Sequence, residues 1–154
     1  MVKAAQSLSS ESYNYLDDGA DSVRNDTWFG TYSSSRYSTV TSHFYKINNA
    51  LQNEELTLNC SCESDLQSAY AYVYPNQPYH IHLCNAFWSA DTTGTDSKSG
   101  TLIHELSHFT VNGGADDIAY GQYYARQLAQ SSPSKAVQNA DSHEYFAENN
   151  PKLQ

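Results

Sequence analysis

The strongest constraint in this sequence lies at residues 101–109, Thr-Leu-Ile-His-Glu-Leu-Ser-His-Phe. On a helix, His104 and His108 are four positions apart and therefore face the same side. Two imidazoles on one face can bind a single metal ion, and Glu105 then lies beside that ion, next to a water. The pattern H-E-x-x-H is typical of zinc hydrolases, so we look in the rest of the chain for a third ligand, a core and a substrate pocket.

Length and charge narrow the class of protein. The 154 residues fit one domain, residues 1–154, that is large enough to bury a core. The net charge of −9 argues against a nucleic acid partner, because binding phosphates requires Lys and Arg. An acidic surface favours solubility and attracts cationic ligands. No stretch is long and apolar enough to span a membrane, so we expect no membrane partner. We also expect the protein to be a monomer.

The cysteine count is typical of an extracellular protein. Three cysteines, Cys60, Cys62 and Cys84, fit one disulfide and one leftover thiol. Two N-glycosylation sequons, at Asn25 and Asn59, fit the same compartment. Residues 1–6 lack the apolar core of a signal peptide, so we expect a secreted protein in a mature or recombinant form.

Hydrophobic periodicity predicts a mostly helical chain with a small sheet. Helical patterns cover residues 3–17, 34–50, the stretch from loop 91–100 to about Val111, 117–130 and 135–148. Three short alternating segments, 56–60, 70–74 and 80–84, predict the strands of a small, largely antiparallel sheet. We therefore expect an α+β fold, with Ser97 or Ser99 capping the metal-binding helix.

A catalytic zinc ion takes three protein ligands and keeps a fourth position for water. The third ligand should follow the metal-binding helix after a sharp turn, and residues 112–114, Asn-Gly-Gly, supply that turn. Asp116 and Asp117 come next along the chain. We assign Asp117, nine residues after His108, as the third ligand, and Asp116 stays open as the alternative.

These motifs resemble those of the aspzincin metalloendopeptidases, which include deuterolysin and the more closely similar peptidyl-Lys metalloendopeptidases. That family carries H-E-x-x-H followed by G-T-x-D-x-x-Y-G, and the second part reads Gly-Ala-Asp-Asp-Ile-Ala-Tyr-Gly at residues 114–121 here. Ala115 replaces the usual Thr, which is not a ligand, so the exchange puts loop stability in doubt and not metal binding. The resemblance covers most of the chain and implies a zincin-like fold with one catalytic Zn²⁺ ion.

The resemblance also implies a role for each residue of the site. It makes Asp117 a zinc ligand together with the two histidines. Glu105 would take a proton from the attacking water and deliver it to the leaving amine, and Tyr120 would stabilise the oxyanion. On a helix, Tyr120 would share a face with Asp117 because the two are three residues apart.

Substrate preference follows from an acidic pair. Asp141 and Glu144 are three apart, so a helix places both carboxylates on one face. Lysine-specific aspzincins are similar at these positions, which implies that the pair binds the lysine ammonium just after the scissile bond. The resemblance further implies a disulfide between Cys62 and Cys84, with Cys60 unpaired.

We therefore expect a secreted zinc endopeptidase that cleaves proteins or peptides on the amino side of Lys. One alternative is an aspzincin of broader specificity. Another is a zinc-binding or scavenging protein without turnover. Glu105 and Tyr120 argue against the last, because neither residue is needed to hold zinc.

Overall fold

Eight α-helices and one three-stranded sheet make up the computed structural model, which describes residues 1–154. The helices are α1 (Val2–Asp18), α2 (Val23–Phe29), α3 (Ser34–Asn53), α4 (Asn85–Ser89), α5 (Lys98–His108), α6 (Gly121–Ser131), α7 (Pro133–Ala136) and α8 (Ala140–Glu148). The strands are β1 (Thr57–Asn59), β2 (Ala71–Tyr72) and β3 (His80–Leu83). The expected mostly helical α+β fold is confirmed. None of the helices has the length and apolar character that crossing a membrane requires.

The core lies between α1, α3, α5 and α8. In α3, the apolar stripe of Val40, Phe44, Ile47 and Leu51 is buried, as its helical spacing predicts. Helices α5 and α8 are buried on every side, because no residue at 99–108 or 140–148 is more than 9% exposed. The two helices that carry most of the predicted site residues therefore pack together at the centre of the protein.

Of the two capping candidates that the sequence offers, Ser97 and Ser99, the structure selects Ser97. Ser97 is the N-cap of helix α5, and the Ser97 side chain accepts a hydrogen bond of 2.9 Å from the backbone N–H of Gly100. The helix ends at His108, earlier than the predicted end near Val111. The Phe109 carbonyl accepts hydrogen bonds from the backbone N–H groups of residues 112, 113 and 114, so a tight turn replaces the last helical turn.

The sheet is mixed, which corrects the prediction of a largely antiparallel one. Strand β3 is central, and it pairs antiparallel with β2 but parallel with β1. The short connection from β2 to β3 reverses the chain, whereas β1 reaches β3 through the long connection of residues 60–79. The predicted disulfide between Cys62 and Cys84 is confirmed and ties this connection to the end of β3, while Cys60 is free and exposed.

Two predicted helix boundaries are wrong, and both lie where residues 116–119 run beside Asn139. Residues 117–120 are not helical, and the predicted helix 135–148 is divided into α7 and α8. Asn139, between α7 and α8, accepts hydrogen bonds of 3.0 Å through Oδ1 from the backbone N–H groups of Ile118 and Ala119. Asp116 forms an isolated parallel bridge with Asn139. These bonds hold residues 116–119 extended against the break in the last helix.

Candidate active site

Three side chains converge where the extended segment passes the end of α5. The Asp117 Oδ1 atom lies 3.0 Å from Nε2 of His104 and 3.2 Å from Nε2 of His108. Zinc bonds of about 2.0–2.1 Å in tetrahedral geometry place neighbouring ligand atoms about 3.3 Å apart. Two imidazoles and one carboxylate at this spacing fit a zinc ion. Asp116, the open alternative for the third ligand, is exposed and is not part of this cluster.

The outer nitrogen of each imidazole has its own partner. Nδ1 of His104 lies 2.7 Å from Asp141 Oδ1 and 3.1 Å from Glu144 Oε2. Nδ1 of His108 donates to the carbonyl of Ala115 at 2.6 Å. These bonds place the proton on Nδ1 and turn each Nε2 toward Asp117. Position 115 contributes its backbone carbonyl here, so this bond does not require a particular side chain.

The pKa values in the cluster reflect its excess of negative charge. Burial lowers the pKa of His104, but the hydrogen-bonded carboxylates of Asp117, Asp141 and Glu144 outweigh burial and hold the pKa well above its ordinary value. Burial raises the pKa of Asp117, but its bonds to the two imidazoles lower the pKa far more. The arrangement therefore favours a positive charge at the point where the three side chains meet.

Glu105 follows His104 on α5 and is buried, with 4% of the residue exposed. Burial raises the pKa of its carboxyl group. The carboxylate makes no hydrogen bond within the protein and lines the same cleft as the three converging side chains. Both oxygens of Glu105 are therefore free to bond a water or a substrate.

Tyr120 reaches the cleft by a route that differs from the predicted one. It is the N-cap residue of α6 and is 64% exposed, so the expected helical spacing from Asp117 does not apply. The extended segment instead brings its ring to the cleft beside Asp117. Partial burial, followed by the Asp117 charge, raises the pKa of Tyr120 to about 12. The phenol is therefore protonated at neutral pH and can donate a hydrogen bond.

A cleft of about 580 Å³ contains all these groups. One wall is the segment 69–73 around β2, and the other comes from α5, the extended segment and α8. No Lys or Arg side chain lines the cleft, whereas several carboxylates do. The size and the unbalanced negative charge suit a peptide with a cationic side chain.

Asp141 and Glu144 lie on α8 and line this cleft, and each is 6% exposed. The bond from Asp141 to His104 is a second role that sequence reasoning missed. Asp141 also accepts a hydrogen bond of 2.7 Å through Oδ2 from the backbone N–H of Gly121, at the start of α6. The three-residue spacing of Asp141 and Glu144 indicated that they share a helical face. It could not indicate that His104 lies opposite that face.

Comparison with known proteins agrees with this geometry. A family model for aspzincins, described as lysine-specific metallo-endopeptidase, matches residues 14–148. A peptidyl-Lys metalloendopeptidase of Pleurotus ostreatus is 50% identical over 150 residues, covering 97% of this chain and 88% of the relative. An extracellular protease of Aeromonas hydrophila and a peptidyl-Lys metalloendopeptidase of Grifola frondosa are 50% and 52% identical over 151 residues. This chain spans only 43% and 42% of those two relatives, and 97% of its own length matches them.

A solved structure extends the similarity to three dimensions. A zinc peptidase from Grifola frondosa superposes with a TM-score of 0.93 at 51% identity, covering 99% of this chain and 93% of that one. The family model and the Pleurotus relative both match most of this chain. The chain belongs to the aspzincin family of lysine-specific metallo-endopeptidases.

Proposed function

We propose that this protein is a secreted, zinc-dependent endopeptidase that cleaves protein and peptide bonds on the amino side of Lys. The observation that carries the proposal is the meeting of His104, His108 and Asp117 beside the free carboxylate of Glu105 in an acidic cleft. Residues 1–154 form the catalytic domain in this proposal, with one zinc ion. The names of the relatives, an extracellular protease and several peptidyl-Lys metalloendopeptidases, support secretion and lysine preference.

His104, His108 and Asp117 would hold the metal. Zinc, when bound, acts as a Lewis acid that polarises the scissile carbonyl and lowers the pKa of the attacking water. Glu105 accepts the proton of that water and then delivers it to the amine that leaves. The absence of any internal hydrogen bond to Glu105 supports this role, because a base must be free to reach its proton donor.

Tyr120 would donate a hydrogen bond to the carbonyl oxygen as negative charge develops on it. The raised pKa keeps the phenol protonated at neutral pH, and Tyr120 lines the same cleft as Glu105 while 64% of it stays exposed. Asp141 and Glu144 would give the subsite that follows the scissile bond its negative charge. Their burial inside a cleft without Lys or Arg supports the choice of a lysine side chain over an apolar one.

The central experiment is cleavage of a denatured, Lys-containing protein with and without a zinc chelator, followed by mapping of the new N-termini. We expect new termini that begin with Lys, and we expect the chelator to abolish them. Chelator-sensitive cuts before assorted residues would support the broader-specificity alternative. Zinc bound at one equivalent without any cleavage would support the scavenging protein and contradict both enzymes.

Glu105→Ala separates catalysis from metal binding. We expect the variant to keep its zinc and to lose cleavage, because Glu105 moves protons and is not a ligand. Glu55→Ala is a matched control, since Glu55 is exposed and lies outside the cleft. Loss of zinc from Glu105→Ala would show that the proposed role of Glu105 is wrong.

A further inference from the structure

The hydrogen bonds of the acidic pair leave few oxygens free for a substrate. Both oxygens of Asp141 already accept from the protein, Oδ1 from His104 and Oδ2 from the N–H of Gly121. Oε2 of Glu144 lies 3.1 Å from the same imidazole nitrogen of His104. The remaining oxygen, Glu144 Oε1, has no donor in the protein. Asp141 therefore contributes charge and orients His104, while Glu144 keeps one open acceptor.

A third carboxylate lines the same cleft. Asp96 directly precedes Ser97, the N-cap of α5, and its backbone is left-handed with φ of 52°. The Tyr145 hydroxyl donates to Asp96 Oδ1 at 2.6 Å, and the Asp96 N–H donates to Glu148 Oε2 at 3.1 Å. The second side-chain oxygen, Asp96 Oδ2, has no donor in the protein.

The side chain that anchors Asp96 is buried. Tyr145 is 2% exposed and follows Glu144 directly on α8. The hydroxyl of Tyr145 therefore couples the Asp96 carboxylate to the helix that carries Glu144. One open acceptor from Asp96 and one from Glu144 then belong to the same cleft, and no Lys or Arg side chain lines it.

We propose that Asp96 is a further specificity-determining residue, which binds the ammonium group of the substrate lysine together with Glu144. An ammonium group has three N–H donors, and it needs acceptors that the protein has not already used. Asp96 Oδ2 and Glu144 Oε1 meet this need, and Asp141, whose two oxygens each already accept a hydrogen bond, adds negative charge. The inference rests on the proposed preference for Lys after the scissile bond.

The test compares two peptides that differ only after the scissile bond, where one carries Lys and the other norleucine, which lacks the ammonium group. The variant is Asp96→Asn. Asn tolerates the left-handed backbone, and its Oδ1 still accepts from Tyr145, so the loop keeps its structure. We expect kcat/KM for the Lys peptide to fall about 10- to 100-fold and kcat/KM for the norleucine peptide to change less than about 2-fold.

Two further variants complete the design. Asp91→Asn removes the same charge from the same loop, at an exposed side chain outside the cleft, and should leave both peptides unaffected. Tyr145→Phe removes the hydroxyl that positions Asp96, and should lower the Lys-to-norleucine ratio by a smaller factor than Asp96→Asn. Zinc content and thermal unfolding of each variant establish that the protein remains folded.

The outcomes distinguish this inference from the proposed function. If the wild-type enzyme prefers Lys over norleucine and Asp96→Asn leaves that preference unchanged, the role of Asp96 is refuted while the proposed function stands. An equal loss on both peptides would also refute it, because that result indicates a general structural effect. A wild-type enzyme without preference for Lys would overturn the proposed lysine specificity together with this inference.

Discussion

Glu148, the last residue of α8, accepts two hydrogen bonds of 2.8 Å from Ser97, one from its backbone N–H and one from its hydroxyl. Ser97 is the N-cap of α5, so this contact joins the end of α8 to the beginning of the helix that carries both histidines. The carboxylate is 8% exposed, and burial, followed by the charge of Glu144, raises the pKa of Glu148 to about 8. This side chain therefore ties together two helix ends that also pack against each other through the core.

Gly100→Ala tests how closely Glu148 packs against α5. A Cβ atom at position 100 would overlap the Glu148 carboxylate. We expect Gly100→Ala to lower the free energy of unfolding by about 1–3 kcal/mol, measured by urea denaturation. In a Glu148→Ala background the overlap is absent, and the same change should stabilise the protein by up to about 1 kcal/mol, because Ala is the better helix former. An equal loss in both backgrounds would contradict the packing explanation.

Asp117→Asn tests the third ligand, with Asp116→Asn as its matched control. Changing a group that only supports a ligand costs about 10- to 100-fold in metal affinity, so losing the ligand charge itself should cost more than about 100-fold. We expect Asp116→Asn to bind zinc like the wild type, since its exposed side chain lies outside the cluster. Zinc affinity is measured by competition with a chelator of known affinity at neutral pH. Loss of zinc in Asp116→Asn instead would reverse the assignment.

Tyr120→Phe tests the proposed hydrogen bond to the developing oxyanion. Removing one such donor costs about 10²- to 10³-fold in turnover, and we expect a loss of that size in kcat with unchanged zinc content. Tyr123 and Tyr124 are similarly exposed on α6 and lie outside the cleft. Tyr123→Phe and Tyr124→Phe should therefore cleave the Lys peptide at the wild-type rate. A Tyr120→Phe enzyme as fast as these controls would eliminate the phenol from the mechanism.

The pair of His43 and His143 makes stability depend on pH. Nδ1 of His43 lies 3.0 Å from Nε2 of His143, and Nδ1 of His143 donates to the Asn139 carbonyl. Burial lowers the pKa of His43 to about 4 and that of His143 to about 3. Below about pH 6.5 these two histidines take up protons in the unfolded chain but not in the folded protein. Their contribution to the free energy of unfolding is therefore complete above pH 6.5 and is lost as the pH falls toward 4.

His43→Asn isolates this contribution. The Asn amide can still donate to His143 but does not titrate. We expect the dependence of the unfolding free energy on pH, between pH 6 and 4.5, to become shallower by about 1.4 kcal/mol per pH unit, which corresponds to one proton. Acid also releases zinc, but this affects both proteins equally and cancels in the difference. Parallel curves for the two proteins would show that His43 does not resist protonation in the folded state.

The sequence by itself determined the local features of this protein. The four-residue spacing of His104 and His108, the apolar stripe of α3 and the cap at Ser97 all depend on helical geometry within a few residues. The pairing of Cys62 with Cys84 was available from the resemblance to aspzincins. Features of this kind can be predicted because neighbouring residues contain all the information that they require.

Tertiary contacts decided the rest. The sequence indicated a helix at residues 117–120, but Asn139, about twenty residues further on, holds that segment extended and brings Asp117 and Tyr120 to the cleft. The direction of β1, the bond from Asp141 to Gly121 and the contact between Glu148 and Ser97 likewise join positions that are distant in the chain. Periodicity specifies which face of an element is buried, but only packing of the whole chain specifies which distant group lies opposite that face.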